Sequence, residues 1–390
     1  MDYVSHLLSF ISDKDLEAFA LDTQVNKYSK KLQGELLFKL LFYCLITEKD
    51  NSLRGMQSAL ESALFQAISN SDPKLSIAHS SISERLNTIR YQYFEKIFQH
   101  CLKAYKSSSD VMKKDIVRFD STIVSLSSKL LSVGYNIKGG DADKYRLLKF
   151  TVGYSDVPDC ICFYTAQTYT SENVALKETI ISNHSHARQC ISVFDRGITS
   201  RANYDVLTDN KVLFISRTDA NAKHTLHTCD ALTTNVETNT LTIFSDCWVY
   251  LYTANKKRSK HPVRIITAIR KTDREIIAFI SNIKKMKVKE ITEIYKSRWE
   301  IEIFFKFIKQ HLNFSHLLNR TENGIKVVMY VTMTAAILLT HYKKLKELTG
   351  YKIAKRKFAQ DLERNLIYNI VLLCNGDAEQ AQRLLYLNTS

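Results

Sequence analysis

Apolar residues recur at helical spacing over the first quarter of the chain. Residues 36–46 are almost continuously apolar, and residues 54–68 continue with apolar positions three or four apart. This spacing predicts helices, so we expect residues 1–110 to form a helical domain. A polar break lies at residues 70–73. Short helices around such a break suit a DNA-binding helix-turn-helix module and, equally, a plain helical domain.

From about residue 114 the apolar residues come in short runs rich in β-branched and aromatic side chains, which are typical of strands. Helices are expected between some of these runs, at residues 172–183 and 201–207. This alternation of strands and helices predicts a mixed α/β sheet for residues 111–220. The predicted strands are residues 116–120, 145–154, 160–169, 190–195 and 211–216.

The spacing of apolar residues divides the rest of the chain into three segments. Residues 221–288 are strand-rich and are predicted to be a β insertion, whereas residues 289–345 return to helical spacing. Residues 346–390 are predicted to form C-terminal helices. The most apolar stretch is residues 327–340, which is shorter than the ~20 residues of a membrane-spanning helix. We therefore expect a buried core helix there.

The charge of the chain is strongly positive and unevenly distributed. The 55 Lys and Arg residues exceed the 40 Asp and Glu residues, which gives a formal charge of +15. Residues 255–289 contain twelve of the basic residues and two of the acids. Such a patch favours a polyanionic partner, either nucleic acid or an anionic membrane surface. Within it, the candidate DNA-binding residues are Lys256, Lys257, Arg258 and Lys260.

Other features disfavour a membrane location. The N-terminal residues lack a basic segment followed by an apolar run, so no secretory signal is expected. The basic patch also lacks an amphipathic anchor with a clear aromatic face. The eight cysteines show no Cys-x-x-Cys spacing, so we expect reduced thiols rather than a zinc or redox site. A cytoplasmic protein with no membrane association is the expectation.

Two aspartates directly follow apolar strand sequences. Asp120 comes after residues 117–119, and Asp195 comes after residues 192–194. The carboxyl ends of strands in an α/β sheet are favoured places for functional sites. A strand-end aspartate often only caps the following turn, so a capping role and a site role are comparable hypotheses here.

A charged stripe follows on a helix predicted from residue 290 to about 313. At 100° per residue the members of the stripe lie within about 60° of its first residue, and Trp299 lies at its margin. The opposite side, which includes Phe304, is apolar and is predicted to face the core. Taken alone, the stripe could be a solvated face with intrahelical ion pairs. It consists of Tyr295, Arg298, Glu302, Lys306 and Lys309.

Three acids that converge from two strands and a helix can hold a pair of metal ions. Asp120, Asp195 and Glu302 would supply hard oxygen ligands, which suit Mg²⁺ or Mn²⁺. Two such ions about 3.5–4 Å apart catalyse in-line phosphoryl displacement. One activates water or a 3′-hydroxyl, and the other stabilises the leaving oxygen. Arg298, with the lysines of the stripe, would hold nucleic-acid phosphates.

The spacing Tyr295-x2-Arg298-x3-Glu302-x6-Lys309 matches the Y-R-E-K signature of the insertion-sequence-four family of DDE transposases. Residues 119–122 resemble its first aspartate segment, and residues 195–197 resemble its second, although Ile198 replaces a frequent aromatic residue. The intervals of 75 and 107 residues between the three acids are similar to those of the family. Residues 51–55 and 80–86 resemble its N-terminal regions, so the resemblance covers nearly the whole chain.

The resemblance implies a ribonuclease H-like α/β fold with a strand-rich insertion, preceded by a helical DNA-binding domain and followed by C-terminal helices. It implies a cut-and-paste transposase that binds its terminal inverted repeats and target DNA as a homodimer in a paired-end complex. Asp120, Asp195 and Glu302 would be the catalytic residues and the ligands of two Mg²⁺ or Mn²⁺ ions.

The resemblance also assigns DNA contacts, and a prokaryotic, nucleoid-associated location follows from such a role. Tyr295, Arg298 and Lys309 would hold the transposon-end backbone near the cut. Trp299 or Trp248 could stack on a base pulled out of the duplex. A role in the core is the stronger hypothesis for Trp248, whereas the two roles are balanced for Trp299.

Two alternative functions remain open from the sequence. A ribonuclease H-like nuclease without strand transfer would need the same acids, but it would not need the Y-R-E-K spacing. An inactive or domesticated transposase could act as a DNA-binding protein. The intact acids argue against this second alternative.

Overall fold

The computed structural model falls into two compact units. The first contains residues 1–111 and 306–390, and the second contains residues 112–305. The polar break at residues 70–73 and the predicted domain boundary at residue 110 lie outside the described residues. The structure describes residues 3–47, 52–69, 76–108, 116–127, 134–136, 145–184, 190–229, 235–253, 255–314, 318–319 and 321–386.

The N-terminal part of the first unit is helical, as the apolar spacing predicts. Ser12 begins the second helix by exchanging hydrogen bonds with Asp15, a capping box of the kind that contributes about 1 kcal/mol. The run at residues 54–68 forms two helices rather than one, because the Ser62 hydroxyl accepts from the Phe65 N–H and starts a new helix. The helices are α1 Tyr3–Leu8, α2 Asp13–Thr23, α3 Gly34–Thr47, α4 Leu53–Leu60, α5 Ala63–Ser69, α6 His79–Thr88 and α7 Tyr91–Ser108.

The second unit begins with the predicted alternation of strands and helices. The first long strand pairs antiparallel with the third, which pairs antiparallel with the fourth. The fifth and sixth strands then add in parallel on the other side of the first. This is the mixed sheet expected of a ribonuclease H-like domain. Its elements are β1 Ile116–Ser127, β2 Tyr135–Asn136, β3 Tyr145–Tyr154, β4 Pro158–Tyr164, α8 Glu172–Asn183, β5 Ile191–Phe194, α9 Arg201–Asp209 and β6 Leu213–Thr218.

The predicted insertion is strand-rich and extends the same sheet. Its last strand pairs antiparallel with β6, so the described strands form one sheet in the order β2-β3-β1-β5-β6-β11-β10-β9-β7. The insertion therefore belongs to the same compact unit as the first six strands. Its strands are β7 His224–Cys229, β8 Val236–Glu237, β9 Leu241–Leu251, β10 Val263–Arg270 and β11 Ile276–Ser281.

The expectation of reduced cysteines fails at one pair. Cys229 of β7 lies opposite Cys247 of β9, and a disulfide joins the two residues. Their Cα atoms are 4.1 Å apart, somewhat closer than the roughly 4.5 Å of a non-hydrogen-bonded antiparallel pair. The spacing of cysteines along the chain carries no information about such a cross-strand neighbour.

The central strands of the sheet are buried on both faces, because successive residues point to opposite faces and apolar residues occupy both sets of positions. The strand β7 is exposed along its whole length. On one face, Val117 and Phe119 pack with Leu176 of α8 and Leu207 of α9. Side chains of this size contribute about 1.5–3 kcal/mol each when fully buried. The intervening residues Arg118 and Asp120 point to the opposite face. The core of that face includes Ile191, Val193, Ile215, Phe279, Ile291 and Ile294.

The helix predicted from residue 290 to residue 313 is interrupted, and here the expectation was wrong. The structure has α10 Val288–Lys296 and α11 Trp299–His311, with a turn at Ser297 and Arg298. The Ser297 carbonyl accepts from the Arg118 guanidinium at 2.8 Å and from the Glu300 N–H, whereas the Ile301 N–H bonds the Arg298 carbonyl. These bonds form a tight turn between the two helices, and Arg298 still pairs with Glu302 across it.

The remaining helices belong to the first unit and are α12 Glu322–Leu345, α13 Tyr351–Leu373 and α14 Ala378–Tyr386. Among the residues that the structure describes, α12 is long and apolar enough to cross a membrane, but 89% of its most apolar window is buried in the protein. It packs against α1, α3, α6, α7 and α13. The expected core helix at residues 327–340 is confirmed.

The compact units group the predicted segments in a different way. The segment at residues 289–345 is split, because residues up to Phe305 group with the sheet and residues from Lys306 group with the N-terminal helices. The reason lies in α12, which is buried around most of its circumference and so packs among helices. The C-terminal helices group with this helical unit as well.

Candidate active site

Asp120 lies where β1 continues beyond its parallel neighbour. β1 pairs with β5 only from Ile116 to Phe119, so the next residue, Asp120, stands beside the end of β5. Its side chain is 34% exposed, and its Oδ1 atom accepts a 2.8 Å hydrogen bond from the Ser121 N–H. The aspartate is therefore held at an open edge of an otherwise buried sheet.

Asp195 follows the last residue of β5 and begins the turn Asp195-Arg196-Gly197. Because β1 and β5 are parallel neighbours, the two aspartates lie at the same edge of the sheet. The predicted position at a strand end is confirmed for Asp195 but was wrong for Asp120, because β1 does not end there and continues to Ser127 in its pairing with β3.

The turn between α10 and α11 brings the third carboxylate toward this edge. The hydroxyl of Tyr295 donates a 2.8 Å hydrogen bond to Asp195 Oδ1. Arg298 Nη2 donates to Glu302 Oε1 at 2.6 Å, and its Nη1 lies 4.0 Å from Asp120 Oδ2. Two members of the stripe thus connect the three acids, which come from residues far apart in sequence.

The two aspartates differ in their electrostatic environment. Burial raises the pKa of Asp120 to about 6, and the nearby carboxylates of Glu172 and Glu302 add to the rise. The Ser121 N–H and the charge of Arg298 oppose it.

Burial also acts to raise the pKa of Asp195, but other interactions outweigh it. Hydrogen bonds from Arg196 and Tyr295, together with the charges of Arg298 and Arg217, hold the pKa below its ordinary value. For Tyr295, burial and the charge of Asp195 raise the pKa, so this hydroxyl stays protonated and acts as a donor.

The sequence did not point to Arg217, yet the structure places it at this edge. It follows Ser216 of β6, which pairs with Phe194, so Arg217 lies beside Asp195. Its Nε and Nη2 atoms are buried and have no hydrogen-bond partner among the described residues. Its Nη2 atom lies 3.8 Å from Glu275 Oε1, within salt-bridge distance. Its position at the end of the third parallel strand was the signal that could have identified it.

A cavity of about 370 Å³ opens beside Tyr295. Its basic residues come from β6, β10 and α10, so it collects cations from segments separated in sequence. The residues that matter most for its chemistry are Arg217, Arg270, Phe279, Lys289, Tyr295 and Lys296. A groove of this composition suits a phosphate backbone with sugars or bases beside it.

The remaining predicted residues of the stripe lie along α11. Trp299 is 61% exposed, next to Arg298. Lys306 is exposed and Lys309 is half-buried, and both belong to the part of α11 that groups with the first unit. The opposite side of this helix is buried as predicted, with Phe304 stacked on Tyr154.

The structure does not bring Trp248 and the basic patch to the three acids. Trp248 is half-buried on β9, five strands from β1, which corresponds to roughly 24 Å at about 4.8 Å per strand. Lys256, Lys257 and Arg258 are exposed in the turn between β9 and β10. The strand directions put this turn at the end of the sheet opposite to Asp120. Lys260, in the same turn, forms a 2.7 Å ion pair with Asp209.

The three acids suit a metal ion by their chemistry rather than by a preformed geometry. Within the described ranges, no group of three or more His, Cys, Asp or Glu side chains is arranged to hold a metal ion. Arg298 lies between Asp120 and Glu302 and interacts with both. Carboxylate oxygens are nevertheless the ligands that Mg²⁺ and Mn²⁺ prefer. A small displacement of one guanidinium would free these oxygens.

The comparison with known proteins identifies the family. The model of the family described as "Transposase DDE domain" matches residues 112–339, which is more than half of the chain. This span contains Asp120, Asp195 and Glu302, and the chain therefore belongs to the DDE transposase family. Membership implies a divalent metal ion and a DNA substrate for the family in general. The expected resemblance is confirmed at this level, and the narrower insertion-sequence-four assignment stays a prediction.

Several curated proteins are similar to parts of the chain. A protein named as a transposase, y4zB of Sinorhizobium fredii, is 26% identical over 157 residues, 40% of this chain and 44% of that protein. One named for the insertion sequence element IS4SA of Synechocystis is 25% identical over 226 residues, 58% of this chain and 59% of that protein. The chain thus spans about half the length of these two relatives.

Proposed function

We propose that this protein is the transposase of an insertion sequence, which binds the terminal inverted repeats of its element and catalyses DNA cleavage and strand transfer. The observation that carries this proposal is the meeting of Asp120, Asp195 and Glu302 around Arg298 and Tyr295. These residues come from two parallel strands and a helix turn, and they lie within the matched family region.

In this proposal the three carboxylates hold two Mg²⁺ or Mn²⁺ ions. When bound, the ions supply activation of the attacking oxygen and stabilisation of the leaving oxygen in phosphoryl transfer. The contribution of the chain is to fix its ligands. The Ser121 N–H orients the Asp120 carboxylate, and the Tyr295 hydroxyl orients the Asp195 carboxylate.

Cations beside the carboxylates then hold the DNA backbone. Arg298 would leave Glu302 when a metal ion binds, and it would then contact a phosphate near the cut. Arg217 already lies beside Asp195, and its Nε and Nη2 atoms make no hydrogen bond to the described residues. The neighbouring cavity adds Lys289, Lys296 and Arg270, of which Arg270 is paired with Asp273 and Glu275. Lys306, Lys309 and the turn with Lys256, Lys257 and Arg258 would bind more distant DNA. The predicted DNA contact of Lys260 is not part of this proposal, because Lys260 is paired with Asp209. Trp299, exposed beside Arg298, is the tryptophan placed to stack on a base at the cut.

We further propose that the protein works as a homodimer that pairs two transposon ends, in the cytoplasm at the nucleoid of a prokaryotic cell. Pairing the ends would allow coordinated cleavage before both 3′-hydroxyls join the target DNA. The support is the family membership together with the similarity to a protein named for an insertion sequence element.

The test uses purified protein with the DNA that flanks its own gene. Cleavage is measured with Mg²⁺ or with EDTA, and the Glu302→Gln variant, of matched size, is the control. Metal-dependent cuts at inverted repeats that the variant does not make would support the proposal. End binding without any cut would favour a regulatory DNA-binding protein, and cuts without joining would favour a nuclease. No binding would contradict all three functions.

A further inference from the structure

A fourth carboxylate, that of Glu172, lies behind the proposed catalytic edge. Glu172 is the first residue of α8, which packs on the face of the sheet opposite to Asp120. Its Oε2 atom accepts a 2.9 Å hydrogen bond from the hydroxyl of Ser121, the residue next to Asp120. The same hydroxyl lies 2.9 Å from the hydroxyl of Thr151 on β3. Glu172 therefore contacts the strand at the residue that follows the first aspartate.

The same glutamate also touches the turn that follows the second aspartate. A Cβ atom added at Gly197 would lie 3.0 Å from the Cβ of Glu172 and 3.2 Å from its Cγ. That separation is tighter than ordinary side-chain contacts, so any larger residue at position 197 would require Glu172 or the turn to shift by a few tenths of an ångström. Glu172 is thus in contact with both aspartate-bearing segments.

A buried lysine fixes the glutamate in this position. Lys149 is only 1% exposed, and its ammonium donates 2.7 Å hydrogen bonds to Glu172 Oε1 and to the Thr170 carbonyl. A buried ammonium is costly without such partners. Lys149 thus holds Glu172 Oε1, while Glu172 Oε2 is directed toward Ser121.

The next residue of α8 makes a second connection to the segment after Asp195. The Asn173 side chain donates to the Thr199 hydroxyl at 2.9 Å and accepts from the Ser200 N–H at 2.8 Å. Asn203 also donates to the Asn173 carbonyl at 3.0 Å. Through Glu172 and Asn173, the first turn of α8 is thus bonded to the segment that follows Asp120 and to the segment that follows Asp195. Neither Glu172 nor Asn173 lies on the face of the sheet that carries Asp120.

We propose that Glu172 is a positioning residue that sets the distance between Asp120 and Asp195. It acts through Ser121 and through the close packing of Gly197, and Lys149 holds its carboxylate in place. Two metal ions about 3.5–4 Å apart need ligands with a defined separation, so a loose connection between the segments would weaken metal binding before it weakened DNA binding. The inference deepens the proposed function and rests on it.

The experiment compares the full-length protein with its Glu172→Gln variant, which keeps the size of the side chain and removes its charge. Three quantities are measured: end binding in EDTA, the Mg²⁺ concentration for half-maximal cleavage, and the rise in melting temperature when Ca²⁺ is added. The control is Asp246→Asn, which removes the charge of an acid paired with a buried cation, Arg264, in the insertion. The Asp246 side chain is 5% exposed and that of Glu172 is 32% exposed, so the control variant perturbs stability at least as strongly. Ser121→Ala removes one hydrogen bond only and serves if Glu172→Gln does not fold.

We expect end binding in EDTA to change less than about twofold, and the Mg²⁺ requirement of Glu172→Gln to rise by roughly 10–100-fold, the usual cost of losing a residue that orients metal ligands. The stabilisation by Ca²⁺ should shrink. Ser121→Ala should also raise the Mg²⁺ requirement and reduce the stabilisation by Ca²⁺, each by a smaller amount than Glu172→Gln. Asp246→Asn should lower the melting temperature and leave the Mg²⁺ requirement unchanged.

Other results would overturn the inference. An unchanged Mg²⁺ requirement in both Glu172→Gln and Ser121→Ala would show that Glu172 supports the fold only. An equal rise in Asp246→Asn would show that the effect follows from lost stability. A different result would contradict the proposed function itself: cleavage by Glu302→Gln at the rate of the unmodified protein. If Glu302→Gln is inactive and Glu172→Gln is unaffected, only the inference is wrong.

Discussion

The hydroxyl of Tyr295 donates a 2.8 Å hydrogen bond to Oδ1 of Asp195, a residue 100 positions earlier in the chain. We predict that Tyr295→Phe slows metal-dependent cleavage by roughly 10–100-fold, because a hydrogen bond to a charged group contributes about 1.5–3 kcal/mol. Loss of a donor to the ionised carboxylate also raises the pKa of Asp195.

Single-turnover cleavage rates at pH 8 and saturating Mg²⁺ test this prediction. Tyr252→Phe is the matched control, since the Tyr252 hydroxyl bonds the Thr225 hydroxyl at 2.7 Å in the insertion. An equal loss of rate in both variants would count against an orienting role for Tyr295.

Arg298 interacts with two carboxylates by separate nitrogens, and a lysine has a single ammonium to offer. We predict that Arg298→Lys slows cleavage at least tenfold at saturating Mg²⁺. It should also lower the melting temperature of the metal-free protein, because Asp120 and Glu302 then repel each other. Arg364→Lys, which replaces an arginine paired with Asp361 on α13, is the control. Wild-type cleavage by Arg298→Lys would contradict the prediction.

The opposite pKa shifts of the two aspartates predict opposite effects on stability. For Asp120 the folded pKa of about 6 exceeds the ordinary value of 3.8, so ionisation opposes folding. This cost grows as the pH rises from 3.8 and is complete above 6. Asp120→Asn should therefore raise the metal-free melting temperature at pH 8. We expect the melting temperature to rise by about 2–4 °C. The expected rise is small because the Asp120 side chain is 34% exposed and solvent screens its charge.

For Asp195 the pKa shift, and with it the effect of the charge on stability, has the opposite sign. Its folded pKa is lowered, so its charge stabilises the fold above the ordinary pKa, and this stability is lost as the pH falls through the folded pKa. Asp195→Asn should lower the melting temperature at pH 8. Calorimetry of both variants in EDTA tests the pair of predictions. A change in the same direction for both variants would refute the electrostatic distinction.

The two tryptophans are predicted to act differently. Trp299 is exposed beside Arg298, whereas Trp248 is half-buried on β9. Trp299→Ala should reduce stacking of a base at the cut, with a loss of about 1–3 kcal/mol in binding of the cleaved end. Trp248→Ala should mainly lower the melting temperature. Fluorescence of 2-aminopurine at the terminal positions measures the stacking. A larger change in Trp248→Ala would reverse this assignment.

The turn between β9 and β10 predicts a measurable salt dependence. The logarithm of the binding constant for duplex DNA should fall with the logarithm of salt by about 0.9 for each phosphate contacted. Replacing Lys256, Lys257 and Arg258 by alanine should reduce this slope. Lys260→Ala is the control, because Asp209 already neutralises Lys260. An unchanged slope in the triple variant would argue against this turn as a DNA surface.

Periodicity along the sequence was sufficient for the framework of the second unit. Strand alternation depends on neighbouring residues, so the starts of β1 and β5 could be predicted locally, and with them the positions of Asp120 and Asp195. The continuation of β1 to Ser127 could not, because it depends on pairing with β3. The apolar side of α11 and the buried character of α12 follow from the same kind of local pattern. The Y-R-E-K spacing added the role of Glu302, which a charged helix face alone would not reveal.

The tertiary structure decided how these parts meet. The break between α10 and α11 depends on Arg118, which bonds Ser297 from 179 residues away. Arg217 and Glu172 were missed because their importance lies in strand register and in packing across the sheet. The order of the strands in the sheet also places Trp248 of β9 five strands away from β1, which carries Asp120. Local spacing fixes which face a side chain occupies, whereas distances between faces depend on pairings that only the folded chain contains.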